Sequence, residues 1–355
     1  MKARSIILFA AMCLATIAGA QTVTNVVARQ VGNTVEVTYD LDKAAEVSLL
    51  LSQDGGTNYA ATPKSMTGDV GKGVTAGHKK IIWNLLNDRS DWDIARARFK
   101  VIAEVQSKLT FTVNGVSFTM IAVEGGTFKM GATYEQGKDA ESDEKPTHSV
   151  TLSDYYIGQT EVTQALWRAV MGTTVQQQRD KANTSWSIYG EGDNYPMYYI
   201  NWEECQTFVQ KLNSLLSSQL GGRRFALPTE AQWEYAARGG KKSNGYKYSG
   251  SNTIGNVAWY TDNSGSSTHP VGQKSPNELG LYDMSGNVWE WCQDWYCSYT
   301  SSSQSNPQGA SSGRSRVDRG GSWYNFARYC RVSGRHGNTP TYRDNDLGLR
   351  LVLLP

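Results

Sequence analysis

The chain has 355 residues, with 19% charged and a net charge of +2, so no basic field suits it to nucleic acid and no acidic tail suits it to a cationic partner. Its length fits one large or two ordinary domains. Glycine (35), tyrosine (19) and tryptophan (11) are abundant, which points to buried rings joined by many turns rather than to long helices.

Residues 1–20 read as a secretory signal peptide. Lys2 and Arg4 form the positive start, Ile6 to Ala18 is apolar, and Ala18-Gly19-Ala20 suits cleavage before Gln21. The apolar run is too short for a membrane span, and no longer one follows, so the mature chain is expected to be exported and not membrane-spanning. Export implies an oxidising compartment. Cys205, Cys292, Cys297 and Cys330 remain after cleavage, and the sequence cannot choose among their pairings.

Residues 21–106 read as a small β-sandwich of the immunoglobulin or fibronectin kind. Val35-Glu36-Val37-Thr38-Tyr39 alternates apolar and polar residues. Val47–Leu51, Ile81–Trp83 and Phe99–Ala103 are further strand runs, with a turn at Asp54-Gly55-Gly56. No catalytic constellation appears there.

A second domain is expected over 111–355. It opens with a strand over 118–123. Glu135 to Lys145 is acidic and reads as a solvated loop. Thr163 is placed to cap a helix that stops at Gly172. Asn201 begins a second, with Glu204 as capping-box partner and Cys205, Phe208, Val209 and Leu212 on one face. Thr229 and Gln232 box a third, ended by Gly239-Gly240. Residues 298–316 are Ser- and Gly-rich and read as a long exposed loop. The four histidines are scattered, with no paired spacing for a histidine-held metal.

Several phrases of this domain, taken together, identify a family. They are Gly125-Gly126-Thr127-Phe128-Lys129-Met130-Gly131, Leu227-Pro228-Thr229-Glu230-Ala231-Gln232-Trp233-Glu234-Tyr235, Gly280-Leu281-Tyr282-Asp283-Met284-Ser285-Gly286-Asn287-Val288-Trp289-Glu290-Trp291, Arg319-Gly320-Gly321-Ser322-Trp323 and Leu347-Gly348-Leu349-Arg350. In order and identity they resemble the formylglycine-generating enzyme, or sulfatase-modifying factor, family. The resemblance implies a C-type-lectin-like α+β fold. It implies bound calcium and, in active members, copper(I) on two cysteines that oxidises a sulfatase cysteine with molecular oxygen. The second of those cysteines is Cys330, but the first position holds Asn325. A neutral amide is a poor substitute for a thiolate on copper(I), so copper is not expected.

Cys330 and Ser322 are the candidate catalytic residues. Cys330 reads as half of a disulfide with Cys292 or Cys297, or as a lone thiol. Ser322 reads as an active-site serine or as a turn residue. Cys205 matches a family disulfide position whose partner falls on Leu351, so it reads as a buried free thiol. The resemblance implies a calcium loop with side-chain oxygens from Asp283 and Glu290 and carbonyls from Gly286 and Val288, and Glu161 matches a further carboxylate nearby. A second, weaker site would use Asn256, Val257, Asn263 and Gly265, with Asn263 where an aspartate is usual. Trp289, Trp291, Trp295 and Trp323 read as core aromatics. The functional expectation is a calcium-stabilised binding module for a protein, peptide or glycan, without copper oxidase activity. The alternatives are a formylglycine-generating oxidase and a structural component of a cell-surface assembly.

Overall fold

The computed structural model describes residues 7–8, 23–42, 45–88, 96–104 and 107–355. Apart from Ile7–Leu8, the expected signal peptide lies outside the described residues. The chain divides into two compact units, Met1–Ser107 and Lys108–Pro355. No helix among the described residues is long and apolar enough to cross a membrane.

Among its described residues the first unit is mostly strand, with the short helix Leu85–Asp88. One sheet orders Ile7–Leu8, Val23–Val31, Thr34–Leu41, Gly77–Asn84 and Met66–Gly68. The other orders Gly71–Val74, Ala45–Ser52 and Arg98–Glu104. Alternation decides which face is buried. Val35, Val37, Tyr39 and Leu41 are buried from the first sheet, Val47, Leu49 and Leu51 from the second, and all seven join one core with Ile81 and Trp83.

The second unit is α+β and built from small sheets. A five-stranded antiparallel sheet orders Arg224–Ala226, Val352–Leu354, Tyr155–Gly158, Val116–Val123 and Lys108–Val113. A four-stranded sheet orders Arg335–Asn338, Arg316–Arg319, Trp289–Trp295 and Leu347–Leu349, with the last pair parallel. Thr163 caps the helix Gln164–Met171, and the chain turns left-handed at Gly172. Thr229 and Gln232 form the expected capping box on Glu230–Ala237. Trp167 stacks on Phe208 of the helix Trp202–Leu215, with ring centroids 5.2 Å apart.

Two local expectations need correction. Asn201 caps its helix by accepting from the Glu204 amide at 2.9 Å, but the Glu204 carboxylate does not fold back into a box. It is engaged instead by Lys181 and Arg343, because two cations outcompete one amide. The acidic segment 135–145 is not simply a solvated loop. Glu144 is 1% exposed and forms a bidentate pair with Arg331, also 1% exposed, and it accepts from Ser333 Oγ at 2.7 Å. The helix Val175–Ala182, boxed by Thr174 and Gln177, is absent from the sequence reading because its residues are too polar to show an apolar stripe.

Glu144→Ala would leave the Arg331 guanidinium buried without its carboxylate. Unfolding free energy, measured by denaturant titration, should fall by about 3–5 kcal/mol. Glu203→Ala, at an exposed position of a neighbouring helix, should change it by less than about 0.5 kcal/mol.

Candidate functional site

Ser322 follows two glycines at positive φ (Gly320 101°, Gly321 72°). A Cβ on Gly321 would lie 2.7 Å from the Cys330 sulfur, so glycine there lets the two segments meet. Ser322 is fully buried. Its Oγ lies 2.7 Å from both Asn325 Oδ1 and Asp346 Oδ2. One hydroxyl proton serves one of these acceptors, so the second contact needs another donor, either a protonated Asp346 or the Asn325 amide turned to present Nδ2. Burial pushes Asp346 up to about 7, with the charges of Asp344 and Asp318 adding to the rise. Asn325 is tied down further where its carbonyl accepts from the Thr261 amide at 3.0 Å.

Cys330 is fully buried in the turn Ala327–Cys330, packed with Tyr248 and Val257. Burial pushes its thiol up to about 12. The disulfide reading of Cys330 is corrected. Cys205, Cys292, Cys297 and Cys330 are all free thiols, and only Cys297 is exposed. Cys330 packs against rings and aliphatic side chains rather than against a second sulfur. Cys205, on the apolar face of its helix, is a buried free thiol.

Outside this buried triangle the surface is aromatic. Tyr324 is 69% exposed, Phe326 63%, Tyr342 40% and Trp186 40%. Trp323 is buried behind them and joins their loops by stacking on Tyr189 at 5.0 Å and meeting Tyr324 edge-on at 5.4 Å. Trp186 leans on Tyr199, whose amide donates to Asp344 O at 2.9 Å. Of the four predicted core tryptophans, Trp289, Trp291 and Trp323 are buried. Trp295 is only partly so and lies under the Arg316 guanidinium at 3.5 Å.

The residues of the first calcium set lie deep in the unit. Gly286 (φ 81°) could carry no side chain, since its Cβ would fall 2.2 Å from Trp259 O. Glu290 is fully buried. It receives Arg350 Nε at 3.0 and 2.9 Å and Nη2 at 2.7 Å, and Trp233 Nε1 donates to it at 2.6 Å. Its negative charge is therefore already balanced. Asp283 differs. Gly272 N donates to its Oδ2 at 2.7 Å, while its buried Oδ1 has no partner. Glu161 accepts from Asn287 Nδ2 at 3.0 Å, and its buried Oε2 likewise has no hydrogen-bond partner. Burial raises Asp283 to about 6. Burial first, then the Asp283 charge, raises Glu161 well above the carboxylate range. Glu161 Oε2 does lie 3.9 Å from Arg350 Nη2, but two buried carboxylate oxygens without a hydrogen bond beside a tight glycine turn fit a hard cation. Among the described residues, no three His, Cys, Asp or Glu side chains converge as a metal site.

The second set lies on a surface loop. Asn263 spends its carboxamide within its own turn, accepting from Tyr260 N at 2.8 Å and donating to Ala258 O at 2.9 Å. Asn256 and Gly265 are exposed and Val257 is buried.

The sequence reading missed Asp346, Arg350 as partner of Glu290, and the aromatic rim. Arg350 stood in a recognised phrase, but only folding reveals its partner 60 residues away. Asp346 had no motif to mark it.

Small sheets linked by long ordered loops, with glycine-shaped turns around a buried polar centre, define a C-type-lectin-like fold of the sulfatase-modifying kind. Residues 110–354 match the sulfatase-modifying factor enzyme 1-like domain, and the chain belongs to that family. It is 34% identical over 290 residues to a protein named "Chaperone protein LppX" from Paenibacillus barcinonensis, covering 72% of this chain and 97% of that one. It is 30% identical to a formylglycine-generating enzyme of Streptomyces coelicolor, covering 65% of this chain and 87% of the enzyme. Among solved structures, Treponema denticola variable protein 1 matches with TM-score 0.60 and 36% identity, over 70% of this chain and 99% of that one. PvdO from Pseudomonas aeruginosa shares the fold, with TM-score 0.54 and 22% identity, over 70% of this chain and 98% of that one.

The buried Asp346 makes stability depend on pH. Its folded pKa lies above the unfolded value, so its favourable contribution is complete below pH ~4 and is lost as pH rises through about 7. Asp346→Asn keeps the shape without the charge. The variant's stability relative to the parent, followed by thermal melts, should rise between pH 5 and 8 by roughly 2–4 kcal/mol.

Proposed function

We propose that this protein is an exported binding module of the sulfatase-modifying family without copper-dependent oxidase activity. The observation that carries this reading is the state of the Ser322–Asn325–Cys330 site. A soft copper(I) ion needs accessible thiolates. Position 325 offers an amide already bonded to Ser322, and Cys330 is a buried thiol held protonated at neutral pH.

The aromatic rim gives the module something to bind with. Exposed tyrosine, phenylalanine and tryptophan rings supply large contact area at little entropic cost, with hydroxyls at the edge for specificity. The ligand is a polypeptide or a glycan presented outside the cytoplasm. The relative named as a chaperone supports a polypeptide. The leader-like first twenty residues support export.

Calcium belongs to this proposal at the first site only. Asp283 and Glu161 would supply side-chain oxygens and Gly286 and Val288 carbonyls, while Glu290 stays paired with Arg350. The ion would neutralise buried negative charge and brace the turn over 283–288.

The oxidase alternative retains the support of the formylglycine-generating relatives and of Ser322 and Cys330. The reduced mature protein should bind no copper(I), and with oxygen it should leave a cysteine-containing sulfatase peptide unchanged by mass spectrometry. Conversion of the peptide cysteine to an aldehyde would overturn the binding-module reading. In parallel, removing calcium with chelator should lower thermal stability. Saturating calcium at about 100 times its Kd contributes roughly 2.7 kcal/mol. Asp283→Asn should abolish the response to calcium.

A further inference from the structure

The second loop, residues 254–265, holds a cation of a different kind. Lys274 Nζ donates to Gly255 O at 3.0 Å and sits 3.8 Å from the centre of the Trp259 ring. The His269 ring stacks on the same indole at a centroid distance of 3.7 Å. Two groups so close to one ring must take opposite faces, so the ammonium has one face and the imidazole the other. His269 Nε2 lies 2.7 Å from Ser264 O, to which it donates. The ring is thus clamped from the chain on both sides.

Two of the loop's oxygens are already engaged within the chain. Asn263 would have to give up two hydrogen bonds, to Tyr260 N and Ala258 O, before its Oδ1 could face an ion. The main-chain oxygen of Asn256 already accepts from Ser275 N at 2.9 Å. Asn256, Val257, Asn263 and Gly265 bring no negative charge, and calcium wants six to eight oxygens, several of them charged. An ammonium one residue from these groups repels a dication.

We infer that the loop over 254–265 takes no calcium, and that Lys274, lodged between Gly255 O and the Trp259 face, supplies the positive charge that closes it. The loop is then stable without metal, unlike the turn over 283–288.

Native mass spectrometry of the mature protein titrated with calcium tests this. Asp283→Asn, which empties the first site, should leave no bound calcium. Adding Asn263→Asp and Lys274→Met together to that variant should restore one ion, because a carboxylate now faces the loop and the competing ammonium is gone. Retention of one ion by Asp283→Asn that is lost with Asn263→Ala would overturn the inference. So would a folded triple variant that gains none. If the parent binds no calcium at all, the first-site proposal fails while this inference stands. Lys274→Met alone should lower the melting temperature by about 2–6 °C, equally with calcium or chelator. Lys274→Arg should recover most of that loss. A calcium-dependent loss in Lys274→Met would count against the inference.

Discussion

The guanidinium of Arg350 has no access to water, yet it sits between a strand, a turn and a neighbouring sheet. It binds both oxygens of Glu290, and it also donates to Gly158 O at 2.9 Å and Tyr282 O at 2.8 Å. A buried charge of this kind is tolerable only when a counter-charge and further hydrogen bonds offset its desolvation. Matching it fixes where the last strands lie against the rest of the unit. The same device recurs: Arg319 pairs with Glu234, Arg335 with Glu230 and Arg331 with Glu144. In a domain with little regular structure, loops cannot satisfy one another through ladders, so buried arginines collect their carbonyls. Arg319 takes three, those of Val332, Ser333 and Gly334. Order in the irregular half of this fold therefore rests on ion pairs that are costly to break singly.

That rigidity comes from residues outside the Ser322 site. Glycine turns bring Ser322, Asn325 and Cys330 together, and nothing in the framework requires the middle residue to be a cysteine. With asparagine there, the site closes on itself through Ser322 and Asp346. The framework keeps its shape and still presents Tyr324, Phe326 and Tyr342 on fixed loops. A scaffold whose stability comes from elsewhere can change what its surface does without refolding. The two loops implied for calcium make the same point. In one, two buried carboxylate oxygens go without a hydrogen bond, and in the other the Asn263 side chain bonds within its own turn.

Where local rules act, the sequence was readable. Alternation in Val35–Leu41, the caps at Thr163 and Thr229, and the stop at Gly172 each follow from contacts within a few residues, and each appears as expected. The family phrases placed Asp283 and Ser322 beside their glycine turns for the same reason: glycine positions and residue order encode tight turns directly. Folding alone decided what those side chains meet. Glu144 looked solvated until Arg331, 187 residues away, buried it, and no motif announced that Glu290 would meet Arg350. The thiol of Cys330 met Tyr248 and Val257 instead of another sulfur. Backbone turns are set by short-range sterics that a sequence displays. The partner of a charge or a thiol is set by packing between distant segments, and that pairing emerges only in the folded chain.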